Sequence, residues 1–244
     1  MRTILCLGVT ACTISACTIP EKQLVEADAP GAPFACLGMP LPSTADMQVT
    51  IAGTVADPFT GSTLPGASIE GYLVGVPTPI FTATAEANGA FSHEQGTGGV
   101  PRNAYLRTTL NGYITTSFYP AVPIVHDYST NIQLLTQQDV ATLAQVAQVT
   151  IDNTKGQILV AVVDCNGTPL SGATITTTPA GTIRYFVDGT PSPTAVATDM
   201  SGIAFVANVP AGNTTLSASA SGMSLRSHNF DAVAGAFIQT DIQP

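Results

Sequence analysis

The chain carries one turn twice. Set "GTVADPFTGSTLPGASI" (Gly53–Ile69) against "VAVVDCNGTPLSGATI" (Val160–Ile175). Gly61, Leu64, Gly66, Ala67 and Ile69 fall on Gly167, Leu170, Gly172, Ala173 and Ile175 at one constant offset. Upstream, Asp57 and Asp164 each close an apolar strand, with one extra residue in the first turn. Further on, "AEANGAF" (Ala85–Phe91) parallels "TDMSGIAF" (Thr198–Phe205), and "NGY" (Asn111–Tyr113) parallels "SGM" (Ser221–Met223). The signals keep the same order in both halves, which predicts two homologous domains.

Each turn has two readings. An Asp, a Cys and an Asn pressed into "DCNG" would suit a metal or redox centre, whereas the same residues also suit a plain strand connection. Asp and Asn side chains bond nearby backbone, and Gly167 accepts a positive φ. In "GQILVAVVD" (Gly156–Asp164) β-branched and apolar residues predict a strand buried largely on both faces. Leu170 then drops into the core, and Gly172-Ala173 is small where the next strand approaches closely. "EANG" and "TDMSG" read as hairpin turns. Because the first copy of the turn lacks the Cys, scaffolding is the expectation and calcium at "DCNG" or "DMSG" is not, since neither carries the acidic set that calcium wants.

These paired motifs resemble the carboxypeptidase regulatory-like family, whose signature runs roughly V-x-D-x-x-G-x-P-L-x-G-A-x-V and then T-D-x-x-G-x-F. The second copy follows it through Val163, Asp164, Gly167, Pro169, Leu170, Gly172, Ala173, Ile175, Thr198, Asp199, Gly202 and Phe205. The first departs, with Glu86 in place of the second Asp and Pro65 after Leu64. The resemblance implies an all-β fold of two tandem transthyretin-like (prealbumin-like) β-sandwich domains, over residues 47–136 and 154–244. It implies little about activity, because one such fold serves many functions. Between the domains, residues 137–153 predict a short helical linker: Thr136 is an N-cap with Asp139 three residues on, and Val140, Leu143, Ala144 and Ala147 recur at helical spacing.

Composition agrees with strands and narrows function. Only 9% of residues are charged and 45% are hydrophobic, so the chain can bury a core with few helix-stabilising ion pairs. The formal net charge is −9 and the seven Lys and Arg form no run, which excludes a nucleic-acid partner on electrostatic grounds.

The N-terminus reads as an address. "MRTILCLGVTACTISAC" places Arg2 before an apolar stretch, Ile4 to Ile14, of secretory length. Eleven residues are too few to span a bilayer. Its end, Ile14-Ser15-Ala16-Cys17, resembles the bacterial lipobox, which implies a signal peptide over 1–16, lipidation (palmitate included) at Cys17 and a membrane partner through that anchor. The same resemblance, in which Asp after the lipidated Cys favours inner-membrane retention, implies the outer membrane for a chain with Thr18 there. Residues 17–46, rich in Pro, read as an extended tether. Its second half, around Phe34, Cys36, Leu37 and Leu41, is apolar enough to pack onto a domain.

Beyond Cys6, Cys12 and Cys17, two cysteines remain, Cys36 and Cys165, in a compartment expected to be oxidising. They predict a disulfide, with two free thiols as the alternative. The three imidazoles give no catalytic pattern: His93 is placed in a hairpin, His126 beside Asp127, and His228 outward on a strand. The Gly-rich "EQGTGGVP" (Glu94–Pro101) lacks the helix and Lys of a phosphate loop. No enzyme, metal or cofactor is expected. The expectation is a non-catalytic envelope module with a structural or adhesive role, and an envelope protein as partner. The alternative is carbohydrate binding, with Tyr105, Tyr113, Tyr119 and Tyr185, together with Phe118 and Phe186, as the candidate glycan contacts. An accessory domain of an envelope hydrolase is the remote alternative.

Overall fold

A computed structural model of the protein describes residues 33–244. Its first half comprises β1 (Gln48–Ala56), β2 (Ser68–Leu73), β3 (Phe81–Thr84), β4 (Ala90–Gly96), β5 (Ala104–Thr109), β6 (Thr116–Tyr119) and β7 (Tyr128–Gln133). Helix α1 (Gln137–Ala147) follows. The second half comprises β8 (Gly156–Val162), β9 (Thr174–Thr178), β10 (Thr182–Val187), β11 (Thr190–Ser192), β12 (Ile203–Val209), β13 (Gly212–Ala220), β14 (Met223–Ser224), β15 (His228–Ala232) and β16 (Phe237–Ile242). The protein is therefore mainly β, as its turn-rich composition predicts.

The repeat seen in the sequence recurs in the pairing. In the first half β1 lies antiparallel to β4 and parallel to β7; in the second, β8 lies antiparallel to β12 and parallel to β16. Likewise β2–β5–β6 has its counterpart in β9–β13–β15. The turn is reproduced bond for bond. Val55 N donates to Gly89 O at 2.8 Å and Val162 N to Gly202 O at 2.8 Å. Leu64 N and Leu170 N donate back to Val55 O and Val162 O at 2.9 and 2.8 Å. Gly89 and Gly202 both take positive φ, +76° and +68°, where a Cβ would sit 2.7 and 2.6 Å from a strand carbonyl. Three segments cross there, and only Gly fits.

The halves are not separate beads. β16 inserts between β8 and β6, parallel to both, and so closes a nine-stranded sheet in the order β11-β10-β12-β8-β16-β6-β5-β2-β3. Two smaller sheets cover it, β4-β1-β7 and the β13 sheet with β9, β14 and β15. They lie on opposite faces. Adjacent β6 residues show this: Phe118 joins the first-half core with Ile51, Phe91 and Ile132, while Tyr119 joins the second-half core with Val160, Leu216 and Phe230. α1 covers the remaining face of the second half, where Val140 and Ala147 pack on Phe205 and Phe237. Its capping box forms as predicted: Thr136 Oγ1 accepts from Asp139 N at 3.2 Å, and Asp139 Oδ2 accepts from Thr136 N at 2.7 Å.

The chain before β1 crosses both halves. Phe34 is buried in the second-half core and Leu37 packs against it, whereas Leu41, predicted to pack, is 39% exposed. Arg226 Nη2 donates to Met39 O at 2.7 Å. Farther along, Ala45 N and Asp46 N donate to Gly99 O and Val125 O of the first half.

Candidate functional site

At the twin turns the acidic side chains are spent on backbone. Asp164 Oδ1 accepts from Asn166 N (2.7 Å) and Thr168 N (2.8 Å); Asp57 Oδ1 accepts from Phe59 N (2.8 Å) and Thr60 N (3.0 Å). In "DMSG" Asp199 Oδ1 accepts from the Ser201 hydroxyl at 2.5 Å and from Ser201 N at 2.9 Å, and these bonds, the hydroxyl's first, hold its carboxyl below the usual range. Among the described residues no three His, Cys, Asp or Glu come together as a metal site would require.

Cys165 is the one residue the repeat leaves unexplained, and the structure joins it to Cys36 in a disulfide spanning 129 residues. Cys165 N also donates to Pro33 O at 3.0 Å. Cys17 lies outside the described residues.

The three imidazoles are far from one another in role. His126 Nδ1 meets Asp46 Oδ2 at 2.8 Å on the exposed surface. His93, expected in a hairpin, belongs to β4, where it pairs with Ile51 of β1, and its ring stacks on Phe81 at 4.2 Å. Glu94–Gly96 of the Gly-rich stretch also belong to that strand. His228 does not face outward. Its Nδ1 sits 3.0 Å from Thr240 Oγ1 and its ring edge-on to Phe230, and burial lowers its pKa.

The candidate glycan aromatics are placed by cross-strand register. Tyr72, Tyr105 and Tyr119 stand side by side on β2, β5 and β6. Their rings stack, 5.1 Å apart for Tyr72–Tyr105 and 4.7 Å for Tyr105–Tyr119, and Tyr119 continues to Phe230 at 5.5 Å. Both faces of Tyr105 are thus occupied, and Tyr119 is buried. Burial first, then the nearby Tyr105 and Asp231, raises the Tyr119 phenol pKa. Tyr185 is buried, its hydroxyl accepting from Ile175 N at 3.0 Å, and Phe118 and Phe186 are core. Tyr113 is half-buried, 3.4 Å from Asp57 Oδ2. The stacking-platform expectation is therefore corrected for Tyr105, Tyr119 and Tyr185: their faces serve packing.

One row along the sheet, Glu70 and Arg107 face each other across β2 and β5. Arg107 Nη2 and Nε donate to Glu70 Oε2 at 2.7 and 3.1 Å, Nη2 also donates to the Tyr72 hydroxyl, and the guanidinium lies 4.5 Å above the Tyr72 ring. Hydrogen bonding from Arg107, then from Tyr72, lowers the Glu70 pKa. Beside this pair a cleft of about 370 Å³ runs along the junction of the halves, lined by Tyr105, Arg107, Thr115, Ser117, Tyr119 and Asp231 and walled by the 233–236 turn. A second cavity of about 370 Å³ on the opposite face is apolar, with Phe59, Leu143, Phe186 and Phe237 in its lining. Sequence motifs do not mark either one, because each is assembled by the β6–β16 pairing.

No family model matches the chain, and no curated protein matches it. Solved structures similar to it include the Bacillus anthracis TIE protein, at 16% identity over 81% of this chain and 34% of that chain, TM-score 0.29. Another is 3-chlorocatechol 1,2-dioxygenase from Rhodococcus opacus 1CP, at 14% identity over 40% of this chain and 63% of that one, TM-score 0.28. A third is the shaft pilin SpaA from Lactobacillus rhamnosus GG, at 13% identity over 82% and 97%, TM-score 0.28. The chain thus spans about a third of the first and under two thirds of the second. At such TM-scores these likenesses carry no activity to this chain.

Proposed function

We propose that the protein is a non-catalytic structural module of a bacterial envelope, exported and held by lipid on Cys17, with the outer membrane as its site. In this reading its two halves are transthyretin-like units of the carboxypeptidase regulatory-like kind, and the body they form acts as a rigid spacer between the anchor and an envelope partner. The observation that carries the proposal is the insertion of β16 between β8 and β6, which makes one sheet of both halves. A hinged pair would need only a linker; a spacer benefits from backbone hydrogen bonds across the junction.

The segment before β1 supports the same role. Tension arriving from the anchor meets the Cys36–Cys165 bond before it meets any strand. The load enters the second half through a covalent link, and β1 is not peeled from β4 and β7. Membrane fractionation of the full chain against Cys17→Ser tests the anchor. The account expects the variant to leave the membrane fraction; a variant that stays membrane-bound overturns it.

A further inference from the structure

The junction cleft has a polarity that selects its ligand. Arg107 presents Nε and Nη2 to Glu70, while Nη1 has no protein partner among the described residues. Across the same cleft Asp231, exposed on β15, offers a carboxylate that accepts no protein hydrogen bond among the described residues. Ser117 and Thr115 line the floor between them with the hydroxyl-bearing Tyr105 and Tyr119.

An anion is disfavoured there, because the Arg107 charge is already offset by Glu70 and Asp231 adds a second negative group. An ammonium group could pair with Asp231, but it is a donor only and leaves the unpartnered Arg107 Nη1 without an acceptor. A hydroxyl both donates and accepts, so the several hydroxyls of one saccharide can serve both a guanidinium N–H and a carboxylate oxygen lining the same cleft. The apolar share of the wall comes from the edges of Tyr105 and Tyr119 and from Val233, Ala234 and Ala236, which suit the C–H faces of a sugar ring. The size also fits, since a cleft of about 370 Å³ lies in the range of small-ligand sites.

We propose that this cleft binds an uncharged saccharide end, held by its hydroxyls between Arg107 and Asp231 and flanked by the edges of Tyr105 and Tyr119. The mode differs from ring stacking, whose surfaces the aromatic ladder has already used. The site stands independently of the anchor, since it needs only the folded body.

The test is titration of the full chain with maltose, cellobiose, lactose and chitobiose, followed through the ring NMR signals of Tyr105 and Tyr119. Digalacturonic acid serves as the anionic probe. At least one neutral disaccharide is expected to shift both rings. Asp231→Asn, a conservative change at an exposed position of β15, and Arg107→Gln are each expected to weaken it about tenfold. Each variant's own ring spectrum reports its fold, and Asp231→Asn, which leaves the Glu70–Arg107 pair in place, decides the test if Arg107→Gln misfolds. Silence from all four neutral sugars overturns the proposal, as does binding unchanged by Asp231→Asn or confined to the anionic probe. Loss of the Cys17 anchor leaves this result unmoved, so failure of the site and failure of the envelope role are separable.

Discussion

The side-chain amide of Gln239 hydrogen bonds both backbone groups of Gln133: Gln133 N donates to Gln239 Oε1 at 3.1 Å, and Gln239 Nε2 donates to Gln133 O at 2.8 Å. A side chain from β16 thus pairs the free edge of β7 as another strand would, and ties the first-half small sheet to the strand both halves share. Gln239 is buried, so its loss leaves two backbone groups short of partners. Gln239→Leu is expected to cost about 2–4 kcal/mol, measured by urea denaturation.

The disulfide is expected to be a main staple. It closes a loop of 129 residues, for which chain entropy gives about 3–5 kcal/mol. Cys165→Ser is expected to lower stability by that order, and reductant to shift the wild type equally while leaving the variant unmoved. Identical reducing and non-reducing peptide maps would remove the bond from the account.

Scaffolding at the twin turns is tested by Gly substitutions. Gly202→Ala combines positive φ with a Cβ 2.6 Å from Val162 O and 3.0 Å from Pro169, and is expected to cost more than about 3 kcal/mol. Gly167→Ala, with φ +79° and nothing within 4 Å, is expected to cost about 1 kcal/mol. Thermal melts in EDTA are expected to match those without it.

Asp241 supplies a pH signature. Burial raises its carboxyl pKa to about 6 from an ordinary 3.8. The folded state therefore holds that proton more tightly than the unfolded chain, and stability falls as pH rises from about 4 to about 6. Asp241→Asn is expected to stabilise the protein at pH 7 by on the order of 2 kcal/mol and to give no gain at pH 4. His228, lowered by burial, acts in the opposite sense, its neutral form being favoured, so stability falls as pH drops below its ordinary 6.5. An equal gain at both pH values would contradict the Asp241 assignment.

Local features were legible in the sequence because local chemistry sets them. The Asp-to-Gly turns, the Thr136–Asp139 cap and the Leu64 and Leu170 positions are decided within a few residues. Cys165 could be singled out because its repeat partner lacks a thiol. Long-range pairing was not legible. Phe237–Thr240 meets Thr116–Tyr119 across about 120 residues, and neither segment's alternation names its neighbour. The same pairing decides which tyrosine faces are free, so aromatic residues marked as ligand contacts became a stacked ladder, and His228, read as outward, turned inward beside Thr240. The cleft at Arg107 and Asp231 joins residues from both halves, and its chemistry appears only once the sheet is closed.

Differential scanning calorimetry of the full chain tests the shared sheet most directly. With β16 common to both halves, the account predicts one transition whose calorimetric and van't Hoff enthalpies agree. Two separate transitions, with one half melting while the other stays folded, would contradict it.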